Sequence, residues 1–201
     1  YSGKENMNSE QCSDIGLEFE NKFYRRCSEY TSLLQQWGKV HNLTAELQSE
    51  KIDKNILDSI YPLKFLNDFK SFADIGTGAG YPGMLLAIAR PDVKAVLIEP
   101  RHKRVAFLNF VKNALDLKNV EIICDRVENV KDRTFDLITS RAVTNTSLLM
   151  ELTKNITSTN SEFLFYKGSM LESEMNDASI NNYEIINVKD RNYLYIKNEG
   201  Q

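Results

Sequence analysis

The sequence predicts an α/β domain built on a largely parallel sheet and preceded by helices, and three observations predict it. After Lys70, short apolar runs alternate with helical patterns, the order that βαβ units impose because parallel strands need a crossover between them. The first of these runs leads into three glycines at alternate positions, Gly76, Gly78 and Gly80. Upstream, the apolar residues recur at steps of three and four, with no strand texture.

Taken in order, the polar stretch 1–14 does not begin with Met and is expected to be a flexible terminus or an expression remnant. Residues 15–70 read as a helical extension. Phe19, Phe23, Cys27, Tyr30, Leu34 and Trp37 mark one face of a helix over about 15–37, stopped by Gly38. A second helix, Lys51 to Ile60, ends near Tyr61-Pro62, since the residue before proline is pushed out of helical geometry. Residues 71–201 form the α/β domain. Its strands are Phe72–Ile75, Ala95–Ile98, Val120–Cys124, Phe135–Thr139 and Phe163–Tyr166. The helices between them are Pro82–Ala89, Lys103–Leu115 and Leu148–Asn155. Ile185–Val188 and Tyr193–Ile196, joined through residues 189–192, read as an antiparallel hairpin closing the sheet edge.

The 201 residues are 42% apolar and 26% charged, enough for a sizeable core, which excludes a disordered, collagenous or disulfide-stapled chain. With 25 Lys and Arg against 28 Asp and Glu, the net charge is −3, so any nucleic-acid partner must be held by a local basic patch. Cys12, Cys27 and Cys124 are odd in number and form no CxxC pair, which favours a reducing cytoplasm and no metal site. The longest purely apolar run, Met84–Ala89, falls far short of the roughly 20 residues that span a bilayer.

The segment Asp74-Ile75-Gly76-Thr77-Gly78-Ala79-Gly80-Tyr81-Pro82-Gly83 joins the first strand to the first helix of the domain. Its glycines let the backbone turn sharply and approach a ligand without Cβ clashes, at the strand end where open α/β sheets bind ligands. Gly78 to Gly83 also satisfies the GxGxxG pattern of dinucleotide binders. Asp74 would repel a phosphate and attract the ammonium of an amino-acid moiety, directly or through water, which favours an adenosyl ligand without a pyrophosphate. Glu99, closing the second strand, is placed to accept hydrogen bonds from both ribose hydroxyls and would serve either ligand.

With its neighbours, this loop resembles that of the bacterial small-subunit rRNA guanine-N7 methyltransferases, formerly called glucose-inhibited division protein B. Trp37 with Asn42-Leu43-Thr44-Ala45, Ile56-Leu57-Asp58-Ser59-Ile60, the glycine loop with its Pro82-Gly83, Lys103-Arg104-Val105, Arg126-Val127-Glu128, Ser140-Arg141-Ala142 and Lys167-Gly168 match the family in order and spacing. One departure is Asn55, where the family usually has His. The resemblance implies a Rossmann-like, seven-stranded sheet, S-adenosylmethionine (SAM) as methyl donor, and N7 of a guanine in the 530 loop of 16S rRNA as acceptor, presented by the RNA or the small ribosomal subunit. It implies that Gly76, Tyr81, Val127, Glu128 and Arg141 contact SAM and that Glu99 holds its ribose. Asp74, Gly78 and Gly80 complete the expected cofactor set.

Guanine N7 carries a lone pair and no proton, so the implied reaction needs no general base and no catalytic residue is assigned. Alignment is the main requirement. His41 and His102, the only histidines, are read as surface residues. Arg101-His102-Lys103-Arg104, with Lys39, Arg126, Arg141 and Lys167, could hold RNA phosphates. Asn42, Arg104, Arg126, Arg141 and Lys167 are the candidate substrate contacts. A monomer without metal is expected. The competing readings are a NAD-dependent oxidoreductase and a non-catalytic RNA-binding assembly factor.

Overall fold

Seven strands make one sheet in the computed structural model, which describes residues 7–41, 43–168, 171, 175, 180 and 182–197. They are β1 (Ser71–Ile75), β2 (Lys94–Ile98), β3 (Val120–Ile123), β4 (Leu137–Arg141), β5 (Glu162–Lys167), β6 (Tyr183–Val188) and β7 (Arg191–Ile196). Their spatial order is β3-β2-β1-β4-β5-β7-β6. β1 to β5 pair in parallel, and β7 runs antiparallel to both β5 and β6. The order reverses at β1, which pairs with β2 on one side and β4 on the other, so a crevice opens at the carboxyl ends of β1 and β4.

The helices are α1 (Ser9–Asp14), α2 (Asn21–His41), α3 (Ser49–Ile60), α4 (Gly83–Ala89), α5 (His102–Ala114) and α6 (Thr146–Leu152), with a 3-10 turn at Tyr61–Lys64 after α3 and another at Lys154–Ile156 after α6. Residues 1–6 lie outside the described residues, but the rest of the expected flexible stretch is ordered. Asn8 and Gln11 cap α1 reciprocally, and Met7 and Cys12 are buried. The helix expected from residue 15 begins only at Asn21, because Ile15 and Gly16, the latter at φ 75°, close α1 instead.

Gly38 does not stop α2. It lies inside the helix because a Cβ there would collide with the Leu47 side chain, so its role is close packing and not termination. The fourth strand is also displaced from its expected span of 135–139, which makes Arg141 its last residue. Polar Thr139 and Ser140 are tolerated in this central strand because their hydroxyls donate to the Asp74 carboxylate (2.7 Å) and the Ile75 carbonyl (3.2 Å). The hairpin turn is two residues, Lys189-Asp190, with Lys189 at φ 52°, and Arg191 and Asn192 pair as strand.

Both sheet faces are covered. Tyr30, Leu34, Ile52, Ile56, Met84 and Phe107 pack on the face that carries Phe72, Leu97 and Leu164, so the helical extension shares a core with the α/β part. The other face, with Ala73, Val96, Ile138 and Phe163, is covered by Leu149 and Ile156. Each such fully buried side chain contributes about 1.5–3 kcal/mol relative to exposure. Three buried tyrosines add specific ties: Tyr30 donates to the Ala79 carbonyl (2.8 Å), Tyr166 to Ser59 (2.6 Å) and Tyr193 to Asp58 (3.0 Å). Among the described residues, no helix is long and apolar enough to cross a membrane.

Candidate active site

After β1 the chain turns through Gly76 (φ 65°), Gly78 (φ 62°) and Gly80 (φ 108°), backbone angles that side chains rarely adopt. Two of these glycines are also sterically required. A Cβ on Gly76 would stand 2.7 Å from Val143 Cγ2, and one on Gly80 would stand 2.8 Å from Met84 Cβ. Gly78 is different, since the nearest atom to a Cβ there would be Arg104 Nη1 at 3.8 Å. Its bare backbone therefore faces open space.

That space is a cavity of about 510 Å³ at the carboxyl end of the sheet, within the usual range for small-ligand sites. Gly76, Gly78, Tyr81, Glu99, Arg104, Arg126, Val127, Glu128 and Arg141 all line it, so most of the residues predicted from sequence converge here. Asp74, Gly80 and Lys167 do not line it. Lys167 instead donates to the Thr144 carbonyl (3.0 Å). Lys39 lies on the exposed side of α2, against another groove. Asn42 lies outside the described residues, but Leu43 and Thr44 after it reach the cavity wall. Of the basic run, Arg101 and Arg104 line the cavity, whereas His102 Nδ1 lies 3.2 Å from the Cys124 thiol.

Glu99 follows β2 and is only 2% exposed. Its Oε2 accepts from the Gly78 amide and its Oε1 from the Arg101 amide, both at 3.0 Å, with Arg104 Nη1 3.6 Å from Oε2. Each oxygen keeps acceptor capacity for a ligand hydroxyl. The carboxylate thus fixes the glycine loop and edges the cavity at the same time.

Asp74 is fully buried and acts behind the loop. Its Oδ1 accepts from Thr139, and its Oδ2 accepts from the Gly83 amide (2.9 Å), the first residue of α4. The amide that a pyrophosphate would use at this helix start is therefore already taken by a carboxylate, which disfavours the dinucleotide frame. Burial pushes the Asp74 carboxyl up to about 6, against the pull of its hydrogen-bond donors. Because this lies above the unfolded value near 4, the folded chain holds the proton more tightly. The Asp74 contribution to stability therefore falls as pH rises from about 4 through 6 and is level above that. Compared with Asp74→Asn, the wild type should lose about 3 kcal/mol of relative stability across that window. Denaturant titrations at pH 4 and 7 that give the same difference would refute this.

Arg141 ends β4 with its guanidinium 4.7 Å from the Tyr81 ring centre. Its Nη1 donates to Asn55 Oδ1 (2.8 Å) and lies 3.6 Å from Asp58 Oδ2, both on α3. Asn55 in turn donates to Glu46 (2.9 Å), and Asp58 also accepts from Arg191 Nε (2.8 Å) and the Tyr193 hydroxyl (3.0 Å). Asn55, where the resemblance led to expecting His, thus serves as acceptor and donor without titrating. Burial pushes the Tyr81 phenol up to about 12, so it stays neutral beside Arg141.

Sequence reading did not single out Asn55 and Asp58 as supports of Arg141, nor Asp125 as a wall residue. Asp125 could have been found from its place just past the third apolar run. It accepts from Asn129 (2.8 Å) and from the Arg126 amide (2.7 Å), which in that order hold its carboxyl below the usual range.

The pocket suits SAM on its own chemistry. Gly78 leaves a cradle that a side chain would fill, Ile98 and Val127 offer apolar walls for a purine, and Glu99 offers acceptors for a ribose. Among the described residues, no group of three His, Cys, Asp or Glu comes together as a metal would require.

A family model described as rRNA small subunit methyltransferase G matches residues 24–199. The chain belongs to the rRNA small subunit methyltransferase G family. It is 65% identical over 181 residues to the methyltransferase of that name from Aliarcobacter butzleri, covering 90% of this chain and 93% of the relative. It is 43% identical to the one from Wolinella succinogenes, covering 92% and 95%. Among solved structures, a methyltransferase from Geobacter sulfurreducens shares the fold with a TM-score of 0.61 at 14% identity, covering 92% of this chain and 94% of the other. Membership of this methyltransferase family favours neither the oxidoreductase reading nor a non-catalytic one, and the protein is a methyltransferase with the SAM-dependent fold.

Proposed function

We propose that this protein transfers a methyl group from SAM to N7 of a guanine in the 530 loop of 16S rRNA, acting as a cytoplasmic monomer on the small-subunit RNA or particle. The observation that carries the reading is the convergence of Gly78, Glu99, Val127 and Arg141 on one cavity, in a chain of a family named for the small-subunit rRNA.

When bound, SAM supplies an electrophilic methyl on a sulfonium. Glu99 would accept from the ribose hydroxyls, Ile98 and Val127 would flank the purine, and Glu128 would close that end. Arg141 would hold the amino-acid carboxylate, its own position set by Asn55 and Asp58. The Asp74 carboxylate, expected to meet the ammonium, supports the loop from behind. Arg104 and Arg126 at the cavity rim would take RNA phosphates.

Because N7 has a free lone pair, the chain needs no base. Holding the nucleophile in line supplies up to about 7–11 kcal/mol of the barrier. Loss of a group fixed for the reacting geometry costs about 10²–10³ in kcat, and that is the expected outcome for Arg141→Ala with folding intact. A kcat and a KM for SAM that are both unchanged would remove Arg141 from the site.

The testing experiment is transfer of labelled methyl from SAM to small-subunit particles and to bare 16S rRNA, with the modified base mapped. Gly78→Asp serves as the control. Its side chain would enter space beside Arg104 without touching the core, and the strain of a side chain at φ 62° is confined to the loop, so the fold should stand while SAM binding is lost. Label on one 530-loop guanine that vanishes with Gly78→Asp is the expected result. Absence of label on both substrates from the wild type would reject the assignment.

A further inference from the structure

A second cavity, about 550 Å³, lies on the far side of the Arg141 supports, between α3 and the β6–β7 turn. Leu57, Tyr61, Val188 and Tyr193 give it an apolar floor. Tyr61 and Tyr193 stack at 5.7 Å with their planes 9° apart, which makes that floor rigid. Three exposed lysines stand at its rim: Lys51 and Lys54 one helical turn apart on α3, and Lys189 in the turn opposite. No ion pair engages any of the three among the described residues.

The acids of the cavity are mostly committed elsewhere. Asp58 faces Arg141 and Arg191, and Glu46 accepts from Asn55; only Asp190, exposed in the turn, remains. The two cavities share a wall. Asn55 lines this one and accepts from Arg141, which lines the other.

We propose that this second cavity is an RNA subsite, taking a nucleotide that flanks the target base in the same strand, with its phosphates on Lys51, Lys54 and Lys189. The inference rests on the reading that the substrate is small-subunit rRNA. A strand that presents a base to the SAM cavity and continues past Asn55 enters a cleft with cationic sides and an apolar floor. These are the two features that single-stranded RNA uses, phosphate neutralisation and burial of base surface. Lysines lacking partners on opposite walls of one cleft fit a polyanion running through it better than isolated solvated charges do.

The test compares wild type with the double variant Lys54→Glu/Lys189→Glu. Filter binding gives the Kd for bare 16S rRNA at two salt concentrations, and labelled methyl transfer to bare rRNA and to particles is measured in parallel. Both side chains are exposed and neither lines the SAM cavity, so S-adenosylhomocysteine affinity serves as the folding control. The expected result is an RNA Kd at least tenfold weaker, with a salt dependence shallower by about 1.4 units of log–log slope, about 0.7 for each of the two lysines. An unchanged Kd and slope would overturn the subsite. Normal binding of bare rRNA with slow methylation of particles alone would also overturn it, pointing to a ribosomal-protein contact. Absence of methyl transfer by the wild type to either substrate would instead reject the substrate reading itself, which the binding comparison does not measure.

Discussion

Glu99→Ala is expected to weaken S-adenosylhomocysteine binding about a hundredfold. The carboxylate accepts from two backbone amides, Gly78 and Arg101, in a place where water hardly reaches. Hydrogen bonds to a charged group contribute about 1.5–3 kcal/mol each, and a buried donor left without an acceptor carries its own desolvation cost. Truncation therefore acts twice, removing the acceptors offered to the ribose and releasing the amide that sets the glycine loop. Losing about 3 kcal/mol corresponds to roughly two decades in Kd. Glu99→Gln keeps one acceptor but turns an NH₂ donor toward a backbone N–H, so its affinity should fall between the two. Titration calorimetry decides the matter: an Ala variant within threefold of wild type would mean that the ribose is not held there.

The largest loss of stability is expected from Gly83→Ala, a substitution of one methyl group. A Cβ there would overlap the Leu97 side chain and stand 2.6 Å from both Cβ and Oδ2 of Asp74. Neither neighbour can yield, since Leu97 is fully buried in β2 and Asp74 is pinned by Thr139 and by the Gly83 amide itself. Overpacking of a tight core costs about 1–3 kcal/mol, and displacing the Asp74 carboxylate from its donors adds to it. For a chain of this size, about 3 kcal/mol lowers the melting temperature by roughly 6–12 °C. The contrast with Gly78→Asp is informative, because a bulkier change at the more open glycine meets only the backbone strain of φ 62° and should melt nearer to wild type than Gly83→Ala does. Equal melting of Gly83→Ala and wild type would show that the first turn of α4 can move.

How far the sequence revealed this site depends on where each constraint lies. The glycine loop and Glu99 were legible because a strand end, a glycine spacing and an acid at the next strand end are all local patterns. The support that Asp74 gives the loop was not legible for a physical reason. Its position at the strand end predicted an acid beside the loop, whereas its donors are the Gly83 amide and Thr139, the latter 65 residues away, which no local pattern reports. The Arg141 clamp was invisible on the same grounds, with Asn55 86 residues distant. Gly38 shows the converse error, since glycine in a helix marks either an end or a close approach, and only Leu47 across the gap distinguishes them. The succession of strands and helices and the hairpin followed from periodicity, while the shift of β4 depended on hydroxyl pairing that periodicity does not encode.

The hydrogen bond from Tyr30 on α2 to the Ala79 carbonyl reaches the glycine loop from outside the α/β part. With the Gly80 and Tyr81 amides bonded back to Thr77, the loop is braced on both sides before any ligand arrives. The conformational entropy of ordering it is spent when the chain folds and not again at each turnover, so a small ligand meets a preorganised cradle and binds more tightly than its contacts alone would give. The same bracing ties loop opening to movement of α2, which makes the cradle slow to reshape for any other ligand.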